Sequence, residues 1–342
     1  MTQRKTAVIT GAGSGFGLET ARIAARRGMN LVLVDVQADA LDKAAAEFKD
    51  VEVLARVVDV AKADQMQALA DAVQQRFGAP HFVFNNAGVG SGGLVWENAL
   101  SDWEWVLGVN LMGVVHGVRL FTPMMLAAAK ADPSYSGHIV NTASMAGLLV
   151  PPVSGVYNVS KAAVVALTET LHHDLALVTS QVHASVLCPF YVPTGISQSH
   201  RNRPGDMPGS KPTISQIVSQ AQTDKAVSSG KLTAADVAAM VFDAIDHNKF
   251  YIFSHPKALA GLQTRMEDAM LQRNPTDPYA ARPDIGAEAS RVADAMLADP
   301  ALDGGTLRSG PGFRRRSCCL IYRIAGDPAA VCGDCVLAQA VD

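Results

Sequence analysis

A chain of 342 residues, 49% hydrophobic and 18% charged with a formal charge of −3, can bury a sizeable core and is too apolar to stay unfolded. It carries no basic field to draw nucleic acid or an anionic membrane, which leaves a small molecule as the expected partner. The first residues, Met1 to Thr6, run straight into Ala7-Val8-Ile9 with no apolar leader, and no unbroken apolar run reaches the ~18 residues of a membrane span. A cytoplasmic protein is therefore expected.

In chain order, short β-branched runs alternate with longer Ala-rich runs of helical period. The pattern predicts strand Lys5–Thr10, helix Gly17–Arg27, strand Asn30–Asp35, helix Gln37–Lys49, strand Val51–Asp59, helix Lys62–Phe77 and strand His81–Asn85. Ser101 followed by Glu104 predicts a capping box that opens a long helix through Asn110. A polar loop at Lys130–Gly137 leads to strand Gly137–Ser144, a helix from Tyr157 to about Leu177, and strand Val182–Cys188. The proline-rich stretch Pro189–Lys211 predicts a mobile lid, extending over about 190–230. Helix Thr233–Asn248, strand Phe250–Phe253 and outer helices Lys257–Arg273 and Asp284–Leu297 follow. Most strands are continuously apolar, as strands covered on both faces are. The expected fold is α/β, a Rossmann-type doubly wound parallel sheet of about seven strands with helices on both faces. Residues 1–255 form the expected catalytic domain, 256–298 a helical extension, and 299–342 a tail rich in Gly, Pro, Arg and Cys.

Thr10-Gly-Ala-Gly-Ser-Gly-Phe-Gly17 joins the first strand to the first helix. Gly11, Ser14, Gly15, Phe16 and Gly17 let the backbone approach a pyrophosphate at the helix N-terminus, where free N–H groups and the positive dipole end favour an anion. Glycine spacing alone is weak evidence, since a structural turn reads the same way. Asp35 at the end of the second strand can accept hydrogen bonds from the adenosine ribose hydroxyls. Its charge would repel a 2′-phosphate, and Ser14, Val36 and Gln37 bring no cation to neutralise one, so NAD is expected over NADP.

Asn85-Asn86-Ala87-Gly88 closes the fourth strand, Ser144 the fifth, and Tyr157-x3-Lys161 opens the next helix. Together with TGAGSGFG, over about residues 4–255, these motifs resemble the short-chain dehydrogenase/reductase family. The resemblance implies an enzyme that interconverts an alcohol and a ketone with Tyr157 as acid/base, Lys161 beside it, Ser144 on the substrate oxygen and Asn110 placing water behind the lysine. Tyr157 and Lys161, four apart, share a helix face. A neighbouring ammonium and a cationic nicotinamide would together lower the phenol from its ordinary value near 10. The resemblance also implies that Asp59 and Val60 contact the adenine, that Asn85, Asn86, Ala87 and Gly88 wall the cofactor, and that Pro189 and Thr194 meet the nicotinamide. Phe190 stands where the family has glycine.

The substrate end is expected to be apolar and aromatic, lined by Trp96, Met145, Leu148, Val150, Pro151, Phe190 and Tyr191 with the lid. That bias suggests a hydrophobic secondary alcohol or ketone. Family likeness implies a homodimer or homotetramer through the helices around Asn110 and Tyr157. His172-His173-Asp174, Trp103, Trp105, the methionines Met112, Met124 and Met125, and Cys188 read as surface or core.

Cys318, Cys319, Cys332 and Cys335 form CC-x12-C-x2-C after three consecutive arginines. Four such thiols can hold an iron–sulfur cluster or zinc. The segment resembles the C-terminal end of ferric siderophore reductases, which implies a [2Fe–2S] cluster; a fused remnant without metal is the alternative. Two rival functions follow: electron transfer through this tail, and a non-catalytic NAD-binding sensor.

Overall fold

In the computed structural model, which describes residues 4–278 apart from Pro208 and Ser210, seven parallel strands form one sheet. In chain order the elements are β1 (Thr6–Thr10), α1 (Gly15–Arg26), β2 (Asn30–Asp35), α2 (Ala38–Ala45), β3 (Val53–Val57), α3 (Ala63–Phe77) and β4 (Phe82–Asn85). Then come α4 (Leu100–Leu107), a π turn (Gly108–Met112), α5 (Gly113–Ala131), β5 (Gly137–Thr142), α6 (Met145–Leu149), α7 (Gly155–Val178) and β6 (Val182–Cys188). A 3-10 segment (Gly195–Asn202), α8 (Ile214–Ser228), α9 (Ala234–Asp246), β7 (Tyr251–Phe253) and α10 (Leu259–Met270) complete it.

The strand order is β3-β2-β1-β4-β5-β6-β7. Alternation along β1 shows why the strands read as unbroken apolar runs: Ala7 and Ile9 pack on one face with Ala21 and Ala24 of α1 and Val237, Val241 and Phe242 of α9. Val8 points to the other face, into a cluster with Met66, Leu69 and Val73 of α3 and Phe121 and Met125 of α5. Covering both faces removes the polar alternation that would otherwise mark a strand. The helical run Leu100–Ala131 is long and apolar enough to cross a membrane, but Val114, Leu120, Phe121 and Met125 on it are buried in the core.

Between β1 and β4 the direction of winding reverses, and ligands of open α/β sheets bind in the crevice beyond the strand C-termini at that point. Three differences from expectation concern the elements around it. The helix carrying Asn110 begins at Leu100, and the carboxylate that accepts the Ala99 N–H (3.0 Å) is Asp102 rather than Glu104. Ser101 instead accepts from Arg203 at 2.9 Å. The expected lid also carries regular structure, the 3-10 segment and α8. Thr213 caps α8 reciprocally with Gln216: the Thr213 hydroxyl accepts the Gln216 N–H (3.3 Å) and the Gln216 side chain accepts the Thr213 N–H (3.0 Å). The outer helix expected at Asp284–Leu297 and the four tail cysteines lie outside the described residues.

Candidate active site

One cleft of about 1160 Å3 runs along the strand C-termini from the Gly11–Gly17 turn to the lid. At its nucleotide end Gly11 (φ 67°) and Gly15 (φ 52°) take left-handed backbone, which costs a residue with a Cβ about 1–2 kcal/mol. A Cβ on Gly17 would stand 2.1 Å from the Gly11 carbonyl oxygen, so the turn closes against α1 only with glycine there. Ser14 caps α1 without a side-chain hydrogen bond, leaving the first amides of the helix to an anion. Asp35, half-buried, accepts from Gly13 N–H (2.9 Å) and Gln37 N–H (3.0 Å) and lines the cleft. Its carboxylate shapes the turn as well as facing the cleft.

Gly11, Ser14, Gly15, Phe16, Asp59, Val60, Asn86, Ala87, Gly88, Pro189 and Thr194 also line the cleft. Gly17 does not, its place being the contact with Gly11. Asp59 lies past the end of β3 at Val57, with its carboxylate turned to the Ala61 N–H (3.0 Å). Asn85 is buried behind the wall instead of forming it: its amide donates to Asn141 Oδ1 at 2.8 Å. Helix α5 presses Gly117 so closely on that side chain that a Cβ would stand 2.0 Å from Asn85 Oδ1.

Sequence reasoning passed over Thr10 as a functional residue. Its hydroxyl accepts the N–H groups of Asn86 (2.9 Å) and Ala87 (3.0 Å), while Asn86 donates to the Thr10 carbonyl (3.1 Å) and accepts from Thr142 (3.3 Å). These bonds tie the ends of β1, β4 and β5 together under the cleft. A threonine opening the glycine turn was the available signal.

Farther along, Ser144, at the start of α6, converges on the cleft with Tyr157 and Lys161 of α7. Ser144 caps α6, accepting Ala146 N–H at 3.1 Å, and lies 3.4 Å from the Pro189 carbonyl. Lys161 is 2% exposed; its ammonium donates to the Thr142 carbonyl (2.8 Å) and sits 5.8 Å from the centre of the Tyr157 ring. Burial pulls Lys161 down to about 8. Desolvation pushes the Tyr157 hydroxyl up to about 12, with the Ser144 hydroxyl working against the rise and Tyr191 adding to it. In the protein by itself desolvation of the phenol therefore dominates over any lowering by its neighbours.

Asn110 is fully buried on the π turn, not on a regular helix. Its side chain accepts Val89 N–H (2.8 Å) and donates to the Val89 carbonyl (2.9 Å) and Ser160 (3.1 Å). The amide therefore grips the wall beside Gly88, where a Cβ would stand 3.4 Å from Asn110 Oδ1 and 3.5 Å from Lys161 Nζ.

The substrate end differs in detail from expectation. Pro151, Phe190 and Tyr191 line it, as do Leu149, Ile196, Met207 and Val227. Met145 and Leu148 are core residues and Trp96 is 70% exposed. The five-residue α6 ends in a left-handed turn at Val150 (φ 51°), so Leu149, and not its neighbours, reaches the cleft. Trp105 belongs both to a small apolar cluster and to the cleft, with the Arg203 guanidinium 5.2 Å over its ring. Burial raises the Cys188 thiol to about 12, which keeps it an inert packing group at neutral pH. The His172 ring lies tilted against Phe250, with ring centres 4.8 Å apart, and no three metal-ligating side chains converge among the described residues.

Residues 5–205 match the family model described as short chain dehydrogenase, and residues 315–337 that described as FhuF 2Fe–2S C-terminal domain. A short-chain dehydrogenase/reductase from Burkholderia phymatum in complex with NAD superposes with a TM-score of 0.78 at 52% identity, covering 81% of this chain and 98% of that one. The CLA biosynthesis dehydrogenase/reductase of Lactiplantibacillus plantarum is 34% identical over 260 residues, 74% of this chain and 88% of that protein. The 1-deoxy-11-beta-hydroxypentalenate dehydrogenase of Streptomyces exfoliatus is 33% identical over 273 residues, 78% of this chain and 88% of that protein. With the motifs assembled around one cleft at the switch point of the sheet, the chain belongs to the short-chain dehydrogenase/reductase family of oxidoreductases.

Proposed function

We propose that the protein is an NAD-dependent alcohol dehydrogenase that interconverts a hydrophobic secondary alcohol and its ketone in the cytoplasm. The observation that carries this reading is the convergence of Ser144, Tyr157 and Lys161 on the cleft that begins at the glycine turn. The turn, the uncapped start of α1 and Asp35 suit NAD, and the relative from Burkholderia phymatum was solved with it. Bound NAD supplies the hydride acceptor and, when oxidised, a positive charge near the phenol.

Ser144 orients the substrate oxygen by hydrogen bonding. As phenolate, Tyr157 takes the alcohol proton at its phenolic oxygen during oxidation, and as phenol it returns that proton to the carbonyl oxygen during reduction. Lys161, anchored by the Thr142 carbonyl, holds the nicotinamide ribose hydroxyls and favours phenolate. Asn110 supports the wall through Val89. Asp35 binds the adenosine ribose; Thr194 and Pro189 close over the nicotinamide; Asp59 and Val60 border the adenine. The apolar lining, with Phe190, Tyr191 and Leu149, suits a bulky apolar substrate. Exposed Met112 and Val159, on the helical segments around Asn110 and Tyr157, suit a homodimer or homotetramer.

The test is reduction of NAD with a panel of apolar secondary alcohols. Tyr157→Phe should lower kcat by about 10²–10⁴. Binding of NAD without turnover of any alcohol or matching ketone would favour a sensor instead. A second reading concerns the tail: Cys318, Cys319, Cys332 and Cys335 all fall within the match at 315–337 and have the right donor chemistry for a [2Fe–2S] cluster, or for zinc. Iron, inorganic sulfide and visible absorption after anaerobic purification would support the cluster; their absence from intact protein would remove it.

A further inference from the structure

After Asn86-Ala87 the chain runs Gly88-Val89-Gly90-Ser91-Gly92-Gly93, more glycine than a cofactor wall requires. The lid explains the excess. A Cβ on Gly92 would stand 1.9 Å from Ser219 Oγ, and one on Gly93 2.6 Å from Gln216 Cγ, so α8 lies directly on this backbone. Ser215 accepts the Leu94 N–H at 2.9 Å. Ser199, in the 3-10 segment, accepts the Gly90 N–H at 2.7 Å and lies 3.2 Å from the Gly90 carbonyl, to which it donates. Ser199, Ser215 and Ser219 are each at most 4% exposed.

Two consecutive residues of the wall are thus held in the same way by two different parts of the chain. Asn110 takes both polar backbone groups of Val89, and Ser199 takes both of Gly90. The preceding residue, Gly88, stands beside Lys161 Nζ. Asn110 belongs to the body of the fold, whereas Ser199 belongs to the lid. The second grip therefore exists only when the lid is seated.

We propose that Ser199 is a positioning residue that couples seating of the lid to the geometry of the Gly88–Gly90 wall beside Lys161. For its effect on turnover, this inference rests on the dehydrogenase reading. When the lid lifts, Gly90 loses both partners at once, while Val89 stays held by Asn110 and Asn86 and Ala87 by Thr10. Substrate enclosure and wall alignment then become one event, so a substrate that fails to seat the lid meets a misaligned site.

The test compares wild type, Ser199→Ala and Ser199→Thr by amide hydrogen exchange of residues 86–94, with and without NADH, and by steady-state kinetics on a secondary alcohol. In Ser199→Ala the segment should exchange roughly tenfold faster and kcat should fall roughly tenfold, the loss of one to two hydrogen bonds. The KM for NAD should stay within about threefold, because the Gly11–Gly17 turn and Asp35 are untouched. Ser199→Thr, which keeps the hydroxyl, should recover most of both effects. Unchanged exchange in Ser199→Ala, faster exchange with unchanged kcat, or a threonine variant no better than alanine would each overturn the proposal. Failure of wild type to turn over any alcohol or ketone would sink the dehydrogenase reading instead, and the exchange data would still decide whether lid and wall are coupled.

Discussion

Replacing Asp35 by asparagine removes a charge while keeping the size of the side chain. The carboxylate accepts from Gly13 and Gln37 and faces the cleft with no cation supplied by Ser14, Val36 or Gln37. A ribose held by this group would bring a 2′-phosphate to about 5 Å, where like unit charges repel by about 3 kcal/mol at an effective dielectric of 20, roughly a two-hundred-fold penalty. The neutral amide would lift that penalty for NADP. For NAD it would exchange a charge-assisted hydrogen bond for a neutral one, a loss of about 1 kcal/mol or somewhat more, roughly tenfold. The amide also supports the turn less well, since its NH2 group must face one of the two backbone N–H donors. That cost falls on both cofactors equally and cancels in a ratio. The measurement is kcat/KM for NAD divided by that for NADP, with one alcohol, in wild type and Asp35→Asn at fixed ionic strength. The ratio should fall by about 10³. A ratio unchanged within about threefold would refute the argument that Asp35 faces the ribose.

Two further outcomes follow from buried charges. Lys161 titrates at about 8 against an ordinary 10.5. Between these values the unfolded chain binds a proton that the native one does not, so stability should rise as pH rises through this interval, and the cost of the buried ammonium is present in full below pH 8. Lys161→Met should flatten that slope and raise denaturant stability at pH 7 by up to about 3 kcal/mol while activity is lost; a slope identical to wild type would count against the burial argument. Arg203 is ion-paired with Asp102, their side chains 15% and 6% exposed, and it ties the lid to α4. Arg203→Met alone leaves Asp102 buried without its partner, at about 3–5 kcal/mol in unfolding or in opening of the lid, and Asp102→Asn with Arg203→Met should recover most of it. Additive effects in that double-mutant cycle would mean the pair is not coupled.

Much of this protein is legible in its sequence. The strands Asn30–Asp35 and Val182–Cys188 match their expected bounds to the residue, because strands buried on both faces are rich in apolar residues whatever their neighbours are. The glycine turn is legible because left-handed backbone at Gly11 and Gly15 favours glycine, whereas Ser144, Tyr157 and Lys161 are legible through the family resemblance, with spacing adding only that Tyr157 and Lys161 share a helix face. What the sequence could not decide were matters set by contacts between distant segments. Asn85 or Asn86 as the wall residue depended on which face of β4 meets α5. Leu149, not Leu148, lines the cleft because α6 ends after one turn and Val150 swings left-handed. The titration of Tyr157 moved opposite to the pairwise expectation because desolvation belongs to the whole cleft and not to the neighbouring lysine. The lid's buried serines and the glycines beneath them are small residues with no periodic signature, and only their juxtaposition across more than 100 residues of chain, as between Gly90 and Ser199, gives them meaning.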